Sequence, residues 1–308
     1  MRDVIVIGGG AAGLSATVFL LGKECDVLLI AEVLGGKAGT RQYLADEPTE
    51  EYIAGEEVTS MFARRVSTHI DHLLRDGVTA VTKERNIFSV TTERNGTHEA
   101  GAVILATGVT PILLDVPGAE QFAGYGIGYS VTTHAQLIAG KRVAVVGNTQ
   151  RALRGVLELA QTAENVSLIA PNTSIMQSSL GLALPYRYNV DVYEGAQVVA
   201  VEGSTAVEQL VITQAGKQIH LPVDAVFVDL GLRPNTQMVR RIAALDGDDF
   251  VRVNAQLATS VNGLFAAGDV TTIPSENVLI GMGDGARAAR SAYDYVLAHP
   301  SLRARSLK

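Results

Sequence analysis

The chain has 308 residues, 47% of them hydrophobic and 19% charged, with a formal net charge of −7 and one cysteine, Cys25. That length supports a buried core and one to three domains. The acidic balance and the lack of a basic stripe argue against nucleic acid as a partner. A single cysteine rules out an internal disulfide framework and makes a reducing cytoplasm the expected compartment. His69, His72, His98, His134, His220 and His299 are scattered, so no Cys/His metal cluster is expected. Residues 4–22 carry no charge. Gly8, Gly9 and Gly10 interrupt that run, so it reads as strand and turn rather than leader or membrane anchor.

Val4–Ile7 is a fully apolar run, as expected of a buried parallel strand. A helix is expected over Ala11–Leu21 and a second strand over Asp26–Ile30, which together open a doubly wound sheet. Residues 55–76 read as a polar-faced helix. Residues 78–105 read as short strands with a hairpin at Asn95-Gly96, the last ending in the apolar run from Ala102 to Ala106. The opening then repeats about 140 residues later: strand Arg142–Val146, Gly147, helix Arg151–Thr162, strand Val166–Ala170. A final strand, Gly263–Ala267, and helix, Gly283–His299, close the chain. The expected fold class is α/β, with two Rossmann-like dinucleotide-binding domains, the second inserted into the first. The expected boundaries are 1–113 with 237–308 for the outer domain and 114–236 for the insert.

Three glycine-marked turns carry the chemistry. Gly8, Gly10 and Gly13 fit G-x-G-x-x-G, with Ala11 and Ala12 between. Gly8 permits a tight turn, Gly10 lets a pyrophosphate approach the backbone, and Gly13 allows close helix–strand packing. The helix N-terminus favours the phosphate charge. Glu32, 24 residues after Gly8, is placed to accept from ribose hydroxyls. Ala106-Thr107-Gly108 follows an apolar strand. Gly268-Asp269 follows another, where a carboxylate can bond ribityl hydroxyls. The Gly281-Met-Gly283-Asp-Gly285 stretch comes next, and the helix after Gly283 is expected to aim its positive end at a flavin.

These motifs, the Gly35-Gly36 loop and the Gly231-Leu-Arg-Pro-Asn235 stretch resemble the low-molecular-weight thioredoxin reductases and their flavoprotein relatives over nearly the whole chain. The resemblance implies FAD in the outer domain, a pyridine-nucleotide-type insert and a homodimer. It adds Gly35, Gly36, Lys37, Asp46, Val81, Asn277 and Val278 to the flavin-binding residues.

The departures from that family bear on activity. The place of its Cys-x-x-Cys reads Ser130-Val131-Thr132-Thr133, so the dithiol that would receive electrons is missing. Cys25 reads as a small packing residue. In the second glycine turn Thr149 replaces the glycine that admits a pyrophosphate. The stretch where the family holds the 2′-phosphate reads Ala170-Pro-Asn-Thr-Ser174, with no basic residue. Arg151 and Arg154 read as a solvated helix face. Glu276-Asn277 replaces the family's Arg-Gln beside the flavin. His134 stands where the family has a proton-donating aspartate, so Thr133 and His134 are the candidate catalytic pair.

The expected function is a FAD-dependent oxidoreductase without a dithiol and not dependent on NADPH. Its electrons would come from a protein such as ferredoxin or flavodoxin, or from a small substrate. Two alternatives stay open: a non-catalytic FAD-binding protein, and an NAD(P)H-dependent flavin reductase. A second flavin in the insert is a further possibility.

Overall fold

A computed structural model describes residues 1–39, 55–129, 138–172, 174, 176–273 and 277–303. Asp46, Thr133, His134 and Glu276 lie outside the described residues. Two compact units emerge. One holds the described residues up to Thr110 together with those from Arg233 onward, and the other holds those from Pro111 to Leu232.

The first unit opens with β1 (Arg2–Ile7), helix α1 (Ala11–Leu21) and β2 (Val27–Ile30). Helix α2 (Gly55–Ser67) follows, then the two-residue edge strand β3 (Leu73–Leu74). The helix expected over 55–76 therefore stops early. Thr68 turns its hydroxyl onto the Arg65 carbonyl at 2.7 Å, and Leu73-Leu74 leave to pair with Leu29-Ile30. A meander of β4 (Val78–Glu84), β5 (Ile87–Thr92) and β6 (Thr97–Leu105) completes the front of the sheet. The order is β3-β2-β1-β6-β5-β4, with β1 parallel to both β2 and β6.

Side chains alternate across the pleat, so one strand feeds two cores. Val4 and Val6 of β1 pack with Leu14, Leu20 and Ala288 on one face. Ile5 and Ile7 pack with Phe88 and Val90 on the other. Both faces are covered, which explains why β1 reads as a continuous apolar run.

The chain leaves through β7 (Val109–Pro111). The second unit is built around a parallel sheet of β8 (Ile127–Gly128), β9 (Arg142–Gly147), β10 (Asn165–Ala170) and β11 (Val190–Glu194). Helix α3 (Gln150–Leu159) covers one face, burying Leu153, Val156 and Leu159 on Val143, Val145 and Leu168. An antiparallel sheet of β12 (Gln197–Gly203), β13 (Val207–Gln214) and β14 (Lys217–Pro222) covers the other with Val201, Leu210 and Ile212. Strand β15 (Ala225–Asp229) completes the order β11-β10-β9-β15-β8. The chain returns through β16 (Leu232–Pro234), which pairs with β7.

Back in the first unit, β17 (Leu264–Ala266) joins β6 in parallel, and α4 (Val278–Ala298) closes the fold. The last helix was expected from Gly283. It begins five residues earlier because Asn277 caps it, its Oδ1 accepting from the Leu279 N–H at 2.9 Å. Gly281, expected in the turn before the helix, is thus helical together with Gly283 and Gly285. Among the described residues no helix is long and apolar enough to cross a membrane.

Candidate functional site

The site is a ring of backbone turns at the carboxyl ends of β1, β2, β6 and β17, where doubly wound sheets bind ligands. Gly8 holds a left-handed φ of 110°. A Cβ there would lie 2.3 Å from the Ala106 carbonyl oxygen, so only glycine lets β1 turn beside β6. Gly13 is as constrained, since a Cβ would stand 1.8 Å from the Gly8 oxygen. Gly10 differs. It is the N-cap of α1 in extended geometry with no side-chain cap, and an added Cβ would meet only the Gly36 Cα, at 4.0 Å. Its missing side chain serves no packing purpose. It leaves an open cradle over the first turn of α1, whose backbone N–H groups have no helical acceptor.

The neighbouring turns close around that cradle. The Gly35 N–H donates to the Gly9 carbonyl at 2.8 Å, and Gly36 faces Gly10, glycine to glycine. Ala106-Thr107-Gly108 is pinned by Asn235. Its side-chain amide donates to the Thr107 carbonyl at 3.0 Å, and the Thr107 hydroxyl donates to the Asn235 carbonyl at 2.6 Å. Gly268 lies against the Ala12 methyl, and Gly281 of α4 faces Ala11. Asn277 and Val278 begin α4 one turn before Gly281. Lys37 reaches across to Asp269 with Nζ–Oδ2 at 2.9 Å. Glu32 is exposed at the end of β2. Val81 is buried in the β4 core beside Val90, so its side chain is a packing group.

Asp284 went unnoticed in the sequence. It is buried on α4, and its Oδ2 has no hydrogen-bond partner. Burial pushes its carboxyl above the usual range; Arg287 opposes the shift and nearby Asp269 adds to it. Cys25 is buried against Asp3, and burial pushes its thiol up to about 12, as suits a packing residue rather than a nucleophile. The residues of this ring fit a dinucleotide: a side-chain-free cradle at a helix N-terminus, an acid at the end of β2, and a charged pair beyond.

The second unit repeats the turn with different residues. Gly147 (φ 154°) packs on the Asp229 carbonyl as Gly8 packs on that of Ala106. The cap of α3 is Thr149, and its hydroxyl accepts from the Ala152 N–H at 3.0 Å. Arg151 does not lie on a solvated helix face as expected. It grips Asp229 with two hydrogen bonds, Nε–Oδ2 at 2.5 Å and Nη2–Oδ1 at 2.6 Å. The Asp229 side chain is 5% exposed and that of Arg151 21%. These residues do not fit a pyrophosphate.

Fold and glycine turns together define a protein of the two-unit dinucleotide-fold class. Comparison with known proteins narrows this. The profile of the pyridine nucleotide-disulphide oxidoreductases matches residues 2–292, and the chain belongs to that family. It is 29% identical over 304 residues to the F component of alkyl hydroperoxide reductase in Staphylococcus epidermidis, covering 96% of this chain and 59% of that one. It is also 29% identical to the NADH dehydrogenase of Bacillus subtilis, covering 96% and 58%. The chain thus spans under two thirds of the length of these relatives. Among solved structures, thioredoxin reductase from Streptococcus pyogenes superposes with a TM-score of 0.85 at 24% identity, covering 97% and 99%. That of T. acidophilum superposes at 0.66 with 26% identity, covering 96% and 99%. The fold is thioredoxin reductase-like.

Proposed function

We propose that this protein is a FAD-dependent oxidoreductase that has no redox-active dithiol and does not take electrons from NADPH. The observation that carries the reading is the contrast between the two glycine turns: Gly10 leaves the first α-helix N-terminus open, and Thr149 caps the second with its own hydroxyl. Bound in the first unit, FAD would supply the electron transfer. Gly8–Gly13 would hold its pyrophosphate on the α1 N–H groups, Glu32 would accept from ribose hydroxyls, and Lys37 and Asp269 would orient the ribityl side. Electrons then come from a protein donor of the ferredoxin or flavodoxin kind, or from a small substrate at the exposed flavin face. The acting form is a cytoplasmic homodimer, with Asp46, Thr133 and His134 as further residues toward the flavin. A second reading, FAD kept as a structural or sensing ligand, is favoured by the chain's single cysteine.

Anaerobic mixing of the FAD-loaded protein with NADPH, then NADH, then dithionite tests the assignment. We expect dithionite alone to bleach the oxidised flavin band quickly. Rapid bleaching by either nicotinamide cofactor would overturn it in favour of a flavin reductase. Bleaching by dithionite but by no protein or small-molecule donor would favour the sensing role.

A further inference from the structure

The two units offer an internal control, because each builds the same strand–glycine–helix turn beside a parallel neighbour, β6 in the first and β15 in the second. Gly8 and Gly147 both hold a φ that disfavours side chains, and each lies against the backbone at the end of the adjacent strand, at Ala106 just past β6 and at Asp229, the last residue of β15. Counting from those glycines, the helix caps are Gly10 and Thr149, and the second helical residues are Ala12 and Arg151. Three of the differences between the two turns bear on a bound phosphate. Glycine becomes threonine at the cap, alanine becomes arginine in the first turn, and alanine becomes aspartate at the strand end.

Each difference closes what the first unit leaves open. The Thr149 hydroxyl accepts from the Ala152 N–H, one of the donors a pyrophosphate would use. The Asp229 carboxylate, almost fully buried, puts negative charge at the strand end where a phosphate would need none. Arg151 neutralises that charge through two hydrogen bonds of a planar fork. A cation in the first turn of a helix opposes the helix dipole, so Arg151 is placed there for Asp229 and against the helix's own preference. We infer that Thr149, Arg151 and Asp229 form a built-in plug that excludes dinucleotides from the second unit. This inference rests on the proposed function, and it names the residues that enforce donor selectivity.

The test is a gain of function. FAD-loaded wild type and the variant Thr149→Gly/Arg151→Ala/Asp229→Ala, which gives these three positions the residues of the first unit, are titrated with ADP-ribose by calorimetry. Removing both members of the ion pair avoids stranding one buried charge. The triple variant should bind ADP-ribose at least ~10-fold more tightly than wild type. Equal affinity in a variant that retains its flavin spectrum and melting temperature overturns the plug. Should the alanine variant lose its flavin, Thr149→Gly/Arg151→Gln/Asp229→Asn keeps volume and removes charge, and the same gain or its absence decides. Flavin bleaching by NADPH in wild type would defeat the functional reading. A refractory wild type with no gain in either variant would defeat the plug alone.

Discussion

At Gly10 and Gly13 the same amino acid stands for two different physical reasons. Gly13 has no room, its added Cβ falling 1.8 Å from the Gly8 oxygen, while Gly10 has room, with only the Gly36 Cα at 4.0 Å. Gly13→Ala should therefore lower stability by ~1–3 kcal/mol through overpacking and shed FAD as a consequence. Gly10→Ala should lower the melting temperature of the FAD-free protein by less than Gly13→Ala, the cost being the loss of a favoured N-cap residue, and should weaken FAD binding, because the added methyl stands in the ligand's place. Thermal melts of FAD-stripped protein, paired with FAD titrations, separate the two. A Gly10 variant that melts like the Gly13 variant would show a packing role and remove the cradle argument. Sequence spacing identified both glycines as one motif, because G-x-G-x-x-G reports turn geometry. It could not find Asp284 or the Arg151–Asp229 pair. Both depend on tertiary packing, the pair joining residues 78 positions apart in the chain, and no local period marks such a meeting.

At the scale of elements, α1 and α4 cross closely because small residues face each other. A Cβ on Gly285 would lie 2.0 Å from the Ala12 carbonyl, while one on Gly283, a solvent-exposed position, would meet nothing within 4 Å. Gly285→Ala should cost ~1–3 kcal/mol by forcing the helices apart. Gly283→Ala should stabilise the protein by ~0.5–1 kcal/mol, the usual penalty of glycine inside a helix being removed. Chemical denaturation of the two single variants checks this. Opposite signs support the helix running from Val278, and a destabilised Gly283→Ala would contradict it. The glycine cluster is also why the start of α4 was misread from sequence. Gly281 reads as part of a turn locally, and the tertiary demand for a close helix crossing overrode that signal. The strands suffered no such conflict: β1, β2 and β9 came within two residues of their expected bounds because burial on both faces leaves an uninterrupted apolar run. Residues 55–76 failed for the converse reason, since Leu73-Leu74 are apolar at an edge strand and carry no period that separates them from a helix.

At the scale of the whole molecule, a repeated fold does not imply a repeated site. The two units share a core of parallel strands, a glycine turn and a following helix, and that shared architecture is what placed both in one fold class from sequence. Function at each unit depends on a few side chains at the turn. The first turn presents backbone N–H groups to an approaching phosphate. The second has one of those groups taken by Thr149 and a carboxylate–guanidinium pair beside it. Binding of FAD should follow that asymmetry, with one flavin per chain. Heat-released FAD measured by visible absorption, against protein measured by amino-acid analysis, gives the ratio directly. The protein should also melt at higher temperature as free FAD is raised through one site's dissociation constant, since a ligand that binds only the folded state stabilises it by mass action. A ratio near two would mean that the second turn opens to accept a flavin despite its cap and ion pair. The charged pair would then be a gate and not a plug, and electron transfer between two flavins on one chain would replace the single-flavin scheme.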